Sequence, residues 1–159
     1  MDDTPPVWRV GDEREVLLHF LHYVRESMVR KVVGVTEEQA RWSPVGSGTS
    51  LLWLVQHVDF AEQIWLRHRF AGEPMEVPAN AAIPSATLDE AIEHYRATWA
   101  RVDDIIEDAH LDDALPEPSH RSGTTVDLRW ILAHLIEEIS RHAGHADIIR
   151  EMIDDQTGR

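Results

Sequence analysis

Apolar residues recur at helical spacing in four long stretches of the chain, and segments rich in Gly, Pro and Ser separate these stretches. The stretches span about 12–31, 50–70, 87–109 and 125–153. No segment alternates apolar and polar residues over a useful length, so no strand is predicted. We therefore expect an all-α fold, a four-helix bundle with long connecting loops.

Each predicted helix begins at a residue type that favours the N-cap position. The candidate caps are Asp12, Thr49 or Ser50, Thr87, and Thr124 or Thr125. Thr87 is followed three residues later by Glu90, and this spacing predicts a capping box. Thr36 is expected to cap a short helical turn that runs through Ala40. These signals predict where the helices start.

The chain is predicted to form a single domain. Its 159 residues suffice to bury a hydrophobic core, and no repeat or internal boundary is visible. We expect this domain to cover 1–159, with its helical core at about 12–153. The loop over 71–86 contains three prolines, and loops of this length are often functional lids or mobile segments.

Composition narrows the classes of function and location. The 29 acidic and 15 basic residues give a net charge of −14, which disfavours nucleic acid and anionic membrane surfaces as partners. The absence of Cys excludes disulfides, thiolate ligands and a Cys nucleophile. No apolar stretch reaches the roughly 18 residues of a membrane span, and residues 1–6 lack the features of a secretory signal. We therefore expect a cytoplasmic protein.

Four polar side chains share one stripe of the predicted fourth helix: His134, Glu138, His142 and His145. Helical steps of three and four residues keep all of them within about 80° of arc. The same face carries the apolar residues Ile131, Leu135 and Ile149, so we expect the stripe to face the core. A buried carboxylate without a partner is very costly, so Glu138 should have one.

A divalent metal ion would satisfy this requirement. Glu138 and His142 are spaced to offer an oxygen and a nitrogen to one ion, and His145 lies one turn further along the helix. The strongest candidate for a third ligand is His57, which interrupts an apolar run in the second helix. Two nitrogens and one carboxylate would leave coordination positions for water or substrate.

A polar network without metal is the alternative interpretation of these residues. In that case Glu138 forms a salt bridge with Arg141 or a hydrogen bond with His57. His134, taken alone, is then a histidine of the core or of a pocket wall whose ring nitrogens have hydrogen-bond partners. The tryptophans at helical spacing, Trp53, Trp65, Trp99 and Trp130, are expected to pack mainly in the core.

Two segments resemble a known family. The sequence GSGTSLLWLVQH at 46–57 is similar to the start of the second helix of the DinB-like (DinB/YfiT) superfamily. The sequence LRWILAHLIEEISRHAGHADIIRE at 128–151 is similar to the fourth helix of that superfamily. The resemblance covers about 12–153, and it implies a four-helix bundle with the same order of helices.

The resemblance also implies a divalent metal, often zinc or nickel, held by three side chains. The matching residues here are His57 from the second helix and Glu138 and His142 from the fourth. Most members have His at both positions of the fourth helix, whereas the mycothiol-dependent maleylpyruvate isomerase branch has Glu where this chain has Glu138. His145 stands where many relatives carry Gln, and it is either an additional ligand or an acid–base group.

Several members of the superfamily are thiol S-transferases, and the branch that this chain resembles is associated with mycothiol. The implied activity is attack of a metal-bound thiolate on a small electrophile. Since the chain has no Cys, the thiol would arrive with the cosubstrate. His145 and His134 are the candidate catalytic residues, and the resemblance extends to a homodimer. A mycothiol-dependent isomerase and a non-enzymatic metal-binding or structural protein are the alternatives.

Overall fold

The computed structural model describes residues 11–118 and 123–157. The regular elements in these ranges are helices. The elements are α1 (Glu13–Val32), α2 (Glu37–Arg41), α3 (Leu51–Glu62), a π-helical segment (Gln63–Phe70), α4 (Leu88–Glu107) and α5 (Leu128–Asp154). Over these described ranges there is no strand, and one isolated antiparallel bridge joins Ala114 to Asp127. The all-α prediction is therefore confirmed.

The extent of the domain stays a prediction over 1–159. Residues 1–6, where no secretory signal is predicted, lie outside the described residues. None of the helices in the described part of the chain combines the length and the apolarity of a membrane span.

Four of the predicted caps are present: Asp12, Thr36, Ser50 and Thr87. Asp12 accepts a hydrogen bond from the backbone N–H of Glu15 at the start of α1, and Ser50 accepts one from Trp53 at the start of α3. Thr36 and Gln39 form a reciprocal capping box at α2. These contacts fix the first turns of α1, α2 and α3.

The predicted capping box at α4 is only half formed. Thr87 Oγ1 accepts from the backbone N–H of Glu90 at 3.1 Å, as expected. The carboxylate of Glu90, however, accepts from the N–H of Ala86 at 2.5 Å instead of that of Thr87. The glutamate thus satisfies the donor one residue earlier, and α4 still begins at Leu88.

The prediction that Thr124 or Thr125 caps the last helix is wrong. Asp127 is the cap, and its Oδ1 accepts from the N–H of Trp130 at 2.8 Å. The backbone before it is occupied in pairing, because the N–H of Leu115 donates to the carbonyl of Val126 at 2.9 Å. The pairing continues into the first turn of α5, where the N–H groups of Leu128 and Arg129 donate to the carbonyls of Asp113 and Leu111.

α1 and α5 run in the same direction and make the most extensive contact in the bundle. Arg129 meets Glu13 at the start of both helices, with Nε and Oε1 2.6 Å apart. Lys31 meets Asp147 near the other end, with Nζ and Oδ1 2.8 Å apart. Ion pairs at both ends therefore set the parallel alignment.

α4 runs antiparallel to α1, and α3 runs antiparallel to α5. Arg14 near the start of α1 donates to the carbonyl of Ala109 just after α4, at 2.9 Å. On the other side, His57 and then Trp65 contact successively earlier residues of α5. The four long helices are thus arranged up, down, down and up, so the connection from α3 to α4 must return along the whole bundle.

This return connection, residues 71–87, packs against α3 beside the centre of the bundle. The N–H of Ile83 donates to the carbonyl of Gln56 at 3.0 Å, and Gln56 Nε2 donates to the carbonyl of Ser85 at 3.3 Å. At its beginning, Glu73 accepts from Arg67 and Arg101. The connection is therefore held at several points along its length.

A polar network lies inside the apolar core next to the end of α3. The Arg25 side chain is fully buried and donates to both carboxylate oxygens of Glu62, through Nε at 3.0 Å and Nη2 at 2.5 Å. It also donates to Asp103, while the buried Tyr95 hydroxyl donates to Glu62 at 2.9 Å. Because every charge has a partner, the network ties α1, α3 and α4 together five residues after His57.

The second predicted helix ends at Phe70 as expected, but its last part is wound as a π-helix. The N–H of Ala71 reaches back five residues to the carbonyl of Leu66 at 3.0 Å. A wider turn advances each side chain by less than the 100° of an α-helix. The winding therefore changes the direction of each side chain in the segment. The Trp65 ring lies towards α5, where it contacts Trp130 and His134.

Candidate metal centre

His57 is oriented by a backbone carbonyl of the return connection. Its Nδ1 lies 2.6 Å from the carbonyl oxygen of Ala81. A carbonyl can only accept, so Nδ1 carries a hydrogen and the neutral ring presents a bare Nε2. Ala81 itself adopts a left-handed backbone conformation, with φ of 51°, which is rare for a residue other than Gly. A strained backbone position thus sets the tautomer of His57.

The two carboxylate oxygens of Glu138 face different groups. Oε1 lies 3.1 Å from His57 Nε2 and 3.1 Å from His142 Nε2. Oε2 accepts a hydrogen bond from Nη2 of Arg141, which is half exposed. Arg141 therefore orients the carboxylate so that one oxygen points at both imidazoles.

His142 is held in its neutral form. Burial lowers the pKa of His142 to about 4, and the nearby charges of His57, His145 and Arg141 act in the same direction. Its Nδ1 is buried and has no hydrogen-bond partner among the described residues. A neutral imidazole is the form that binds metals, so His142 is available as a ligand at neutral pH.

The donor atoms of His57, Glu138 and His142 lie within 4.8 Å of one another, and the three side chains are only 12–16% exposed. In the neutral His57 ring, the lone pair of Nε2 faces a carboxylate oxygen. Two acceptors at 3.1 Å need a proton or a cation between them. Two nitrogens and one oxygen match the ligand chemistry of zinc or nickel, so these residues fit a divalent metal.

The same contacts belong to the alternative polar network. Glu138 contacts both Arg141 and His57, as that alternative also requires. In a network without metal, the shared proton would make His57 an imidazolium paired with the carboxylate. Metal content distinguishes these two interpretations.

Trp53 is a further member of the centre that the sequence analysis had assigned to the core. Its indole stacks on the ring of His57, with centroids 4.6 Å apart and planes 13° apart. It also meets His142 edge-on at 6.3 Å. The spacing of four residues between Trp53 and His57 was the available signal.

The two candidate catalytic histidines lie on either side of the three converging side chains. His145 contacts His142, with ring centroids 5.4 Å apart, but it is exposed and not turned into the core as expected. His134 stacks on Trp130 and meets Trp65 edge-on, with ring centroids 5.0 Å apart in both pairs. The polar stripe therefore runs along the edge of the core, and His145 is exposed because its end of the stripe is less covered by neighbouring elements, since all four side chains lie within about 80° of arc.

The family model described as mycothiol-S-transferase matches residues 16–155. The chain belongs to the mycothiol-S-transferase family. The matched range includes the three proposed metal ligands of this mycothiol-S-transferase family member. It also includes Trp53, Ala81 and Arg141, which surround them. Membership confirms the resemblance to the DinB-like superfamily and supports a transferase that uses a small-molecule thiol.

One similar solved structure is titled as a conserved protein of a locus from Enterococcus faecalis. It is 16% identical to this chain, covers 92% of it and is itself covered completely, with a TM-score of 0.65. At this level of identity the similarity shows the helical fold alone. A search of the curated proteins finds no significant match to this chain.

Proposed function

We propose that this protein is a divalent-metal-dependent thiol S-transferase that uses mycothiol as cosubstrate. The observation that carries the proposal is the convergence of His57 Nε2 and His142 Nε2 on one oxygen of Glu138. Membership of the mycothiol-S-transferase family supports the reaction and the thiol. The donor set supports zinc or nickel as the metal.

In this proposal His57 and His142 bind the metal through Nε2, and Glu138 binds it through Oε1. A divalent cation at this position lowers the pKa of a coordinating thiol, so that the thiolate is accessible at neutral pH. The chain's own residues supply the orientation. Ala81 fixes the tautomer of His57, and Arg141 holds the second oxygen of Glu138.

The reaction requires that the thiol lose its proton before the sulfur attacks. The cosubstrate sulfur forms a bond to an electrophilic carbon, and the leaving group departs with its bonding electron pair. We assign the proton to His145, because its ring contacts His142 and its exposed position allows exchange with solvent. The chain has no Cys, so it offers no thiol of its own to compete with the cosubstrate.

Metal analysis combined with a thiol-conjugation assay tests the proposal. Protein purified without a His tag should contain about one zinc or nickel per chain and conjugate mycothiol to an electrophile. His57→Ala and His142→Ala should lose both properties. His110→Ala, which removes an exposed histidine from the end of α4, should keep both and serves as the control.

The possible outcomes separate the parts of the proposal. Metal content that is low in the parent and unchanged in His57→Ala would contradict the metal centre and favour the polar network. Bound metal with no conjugation of mycothiol, bacillithiol or glutathione would contradict the transferase activity. Rearrangement of a substrate without net consumption of thiol would instead identify an isomerase.

A further inference from the structure

Three aromatic rings form a cluster between the π-helical segment and α5, which we call the aromatic shelf: Trp65, Trp130 and His134. Trp130 and His134 are stacked at 5.0 Å with planes 21° apart. Trp65 is tilted against Trp130 at 5.3 Å and meets His134 edge-on at 5.0 Å. The guanidinium carbon of Arg69 lies 4.3 Å from the centre of the Trp65 ring.

The shelf is not a closed packing contact between helices. Trp130 is 45% exposed, although it was expected in the core, and Trp65 and His134 are half buried. A single exposed apolar side chain is ordinary in proteins, but an indole joined to two further rings offers an extended apolar surface. Because Trp130 is exposed, part of this aromatic surface is open to solvent, and a further ring would pair with it at a centroid distance of about 4.5–7 Å.

The shelf continues the line of the candidate metal centre. His134 and Trp130 precede Glu138 by four and eight residues in α5, which is about 6 and 12 Å along the helix axis. On the facing chain, Trp53, His57 and Trp65 follow one another in the opposite direction. The shelf and the centre therefore lie along the same pair of facing helices, about 6–12 Å apart along the axis of α5.

The charges around the shelf also connect it to the centre. Burial lowers the pKa of His134; the negative charge of Glu137 opposes this shift, and the positive charges of Arg141 and Arg69 reinforce it. Arg141 also donates a hydrogen bond to Glu138, so this one side chain acts on both the shelf and the centre. A neutral His134 between two indoles presents a ring surface instead of a charge.

We propose that the aromatic shelf binds a planar aromatic group of the electrophilic substrate. Its tilted and stacked rings offer both of the geometries that aromatic pairs prefer, and Arg69 adds a cation that favours an electron-rich ring. The occupant is called a substrate only because of the proposed function above. The binding of an aromatic ring to the shelf requires neither thiol nor metal.

Binding of unreactive probes tests the shelf directly. Benzyl alcohol should shift the indole N–H resonances of Trp130 and Trp65 in NMR spectra, whereas cyclohexylmethanol, a saturated ring of similar size, should bind more weakly. Trp130→Ala should weaken benzyl alcohol binding about five- to tenfold. Trp130→Phe should restore it to within about threefold, which also covers the case that the alanine variant folds poorly.

The matched control is Ile148→Ala, which removes another exposed apolar side chain of α5 about 27 Å along the helix from Trp130. This variant should bind benzyl alcohol as the parent does. The proposal is overturned if benzyl alcohol leaves both indole resonances unchanged, or if Trp130→Ala and Ile148→Ala behave alike. It is also overturned if methyl glucoside shifts the resonances and benzyl alcohol does not, because the ligand would then be a sugar.

A transfer assay separates this proposal from the proposed function. With benzyl chloride as electrophile, Trp130→Ala should raise KM about five- to tenfold and leave kcat within about twofold. A protein that binds benzyl alcohol at the shelf but transfers no thiol contradicts the proposed function and retains the shelf. An active transferase whose shelf binds no aromatic probe contradicts the shelf alone.

Discussion

At the scale of single residues, the geometry of the candidate centre depends on which ring nitrogen of His57 faces Glu138. The carbonyl of Ala81 decides this by accepting from Nδ1, and Ala81 holds this carbonyl in a backbone conformation with positive φ. Partners of this kind tune metal sites by factors of about 10–100 in affinity. The strained alanine is therefore the residue outside the three donors whose replacement is most informative.

Ala81→Val should weaken zinc binding about tenfold and lower stability by about 1–2 kcal/mol, because a β-branched side chain is strongly disfavoured at positive φ. Ala81→Gly, which adopts this conformation freely, should bind zinc as the parent does. Zinc titration and thermal unfolding measure the two effects. Ala79→Val, at an exposed position two residues earlier, is the control, and equal effects at the two positions would contradict the role of Ala81.

A second residue-scale feature is Glu73, which anchors the beginning of the return connection. Hydrogen bonds from Arg67 and Arg101 lower the pKa of Glu73. A carboxylate with a lowered pKa in the folded state stabilises the fold above its unfolded pKa of about 4.3, and this contribution is lost as the pH falls further.

Glu73→Gln should therefore reduce the loss of Tm that the parent shows between pH 6 and pH 3, since the variant has no such proton to bind. Melting curves at a series of pH values measure this difference. Glu76→Gln, at an exposed glutamate of the same connection, should leave the pH dependence as it is in the parent. A parallel fall in Tm for the parent and Glu73→Gln would count against this assignment.

At the scale of elements, the buried network at the end of α3 holds the helix that carries His57. Burial opposes the charge of Arg25, but Glu62 and Asp103 more than offset it and raise the pKa of Arg25. Burial and the neighbouring Glu62 likewise raise the pKa of Tyr95, which keeps its hydroxyl protonated as a donor. The network joins three helices through one carboxylate.

Glu62→Ala should lower the free energy of unfolding by about 3–5 kcal/mol, because it leaves the buried Arg25 without its main partner. Urea denaturation measures this change. The control is Glu26→Ala, which removes a partly exposed ion pair with Arg96 at 3.6 Å and should cost no more than about 1 kcal/mol. Similar losses in the free energy of unfolding for the two variants would contradict the stabilising role of the network.

At the scale of the whole molecule, the metal and the bundle are expected to stabilise each other. The three proposed ligands come from α3 and α5, so a bound metal would link two helices that are distant in sequence. Any ligand that binds the folded state alone raises its stability, by about 2.7 kcal/mol at a free concentration of roughly 100 Kd. The homodimer stays a prediction, and light scattering can measure the oligomeric state.

Removal of metal with a chelator should lower Tm by about 5–10 °C, and addition of zinc or nickel should restore it. Scanning calorimetry of the parent and of two histidine variants measures the effect. His57→Ala should show no response to chelator or metal, whereas His110→Ala should respond as the parent does. A parent protein that is indifferent to both treatments would contradict the metal centre.

The sequence by itself determined the helices, most of their caps and the three side chains of the candidate centre. Helical periodicity and capping depend on residues three or four positions apart. A short stretch of sequence is therefore enough to predict them, as at Asp12 and Ser50. The spacing of Glu138 and His142 is local in the same sense. His57 was found because a polar residue stands out in an apolar run, and its approach to Glu138 at 3.1 Å agrees with that inference.

Only the tertiary structure decided which backbone groups and surfaces surround that centre. Asp127 caps α5 where the chain pairs with residue 114, and the Ala81 carbonyl reaches His57 because the return connection packs against α3. The exposure of Trp130 and His145 likewise depends on neighbouring elements. These features arise from contacts between residues far apart in the chain, on which local periodicity carries no information.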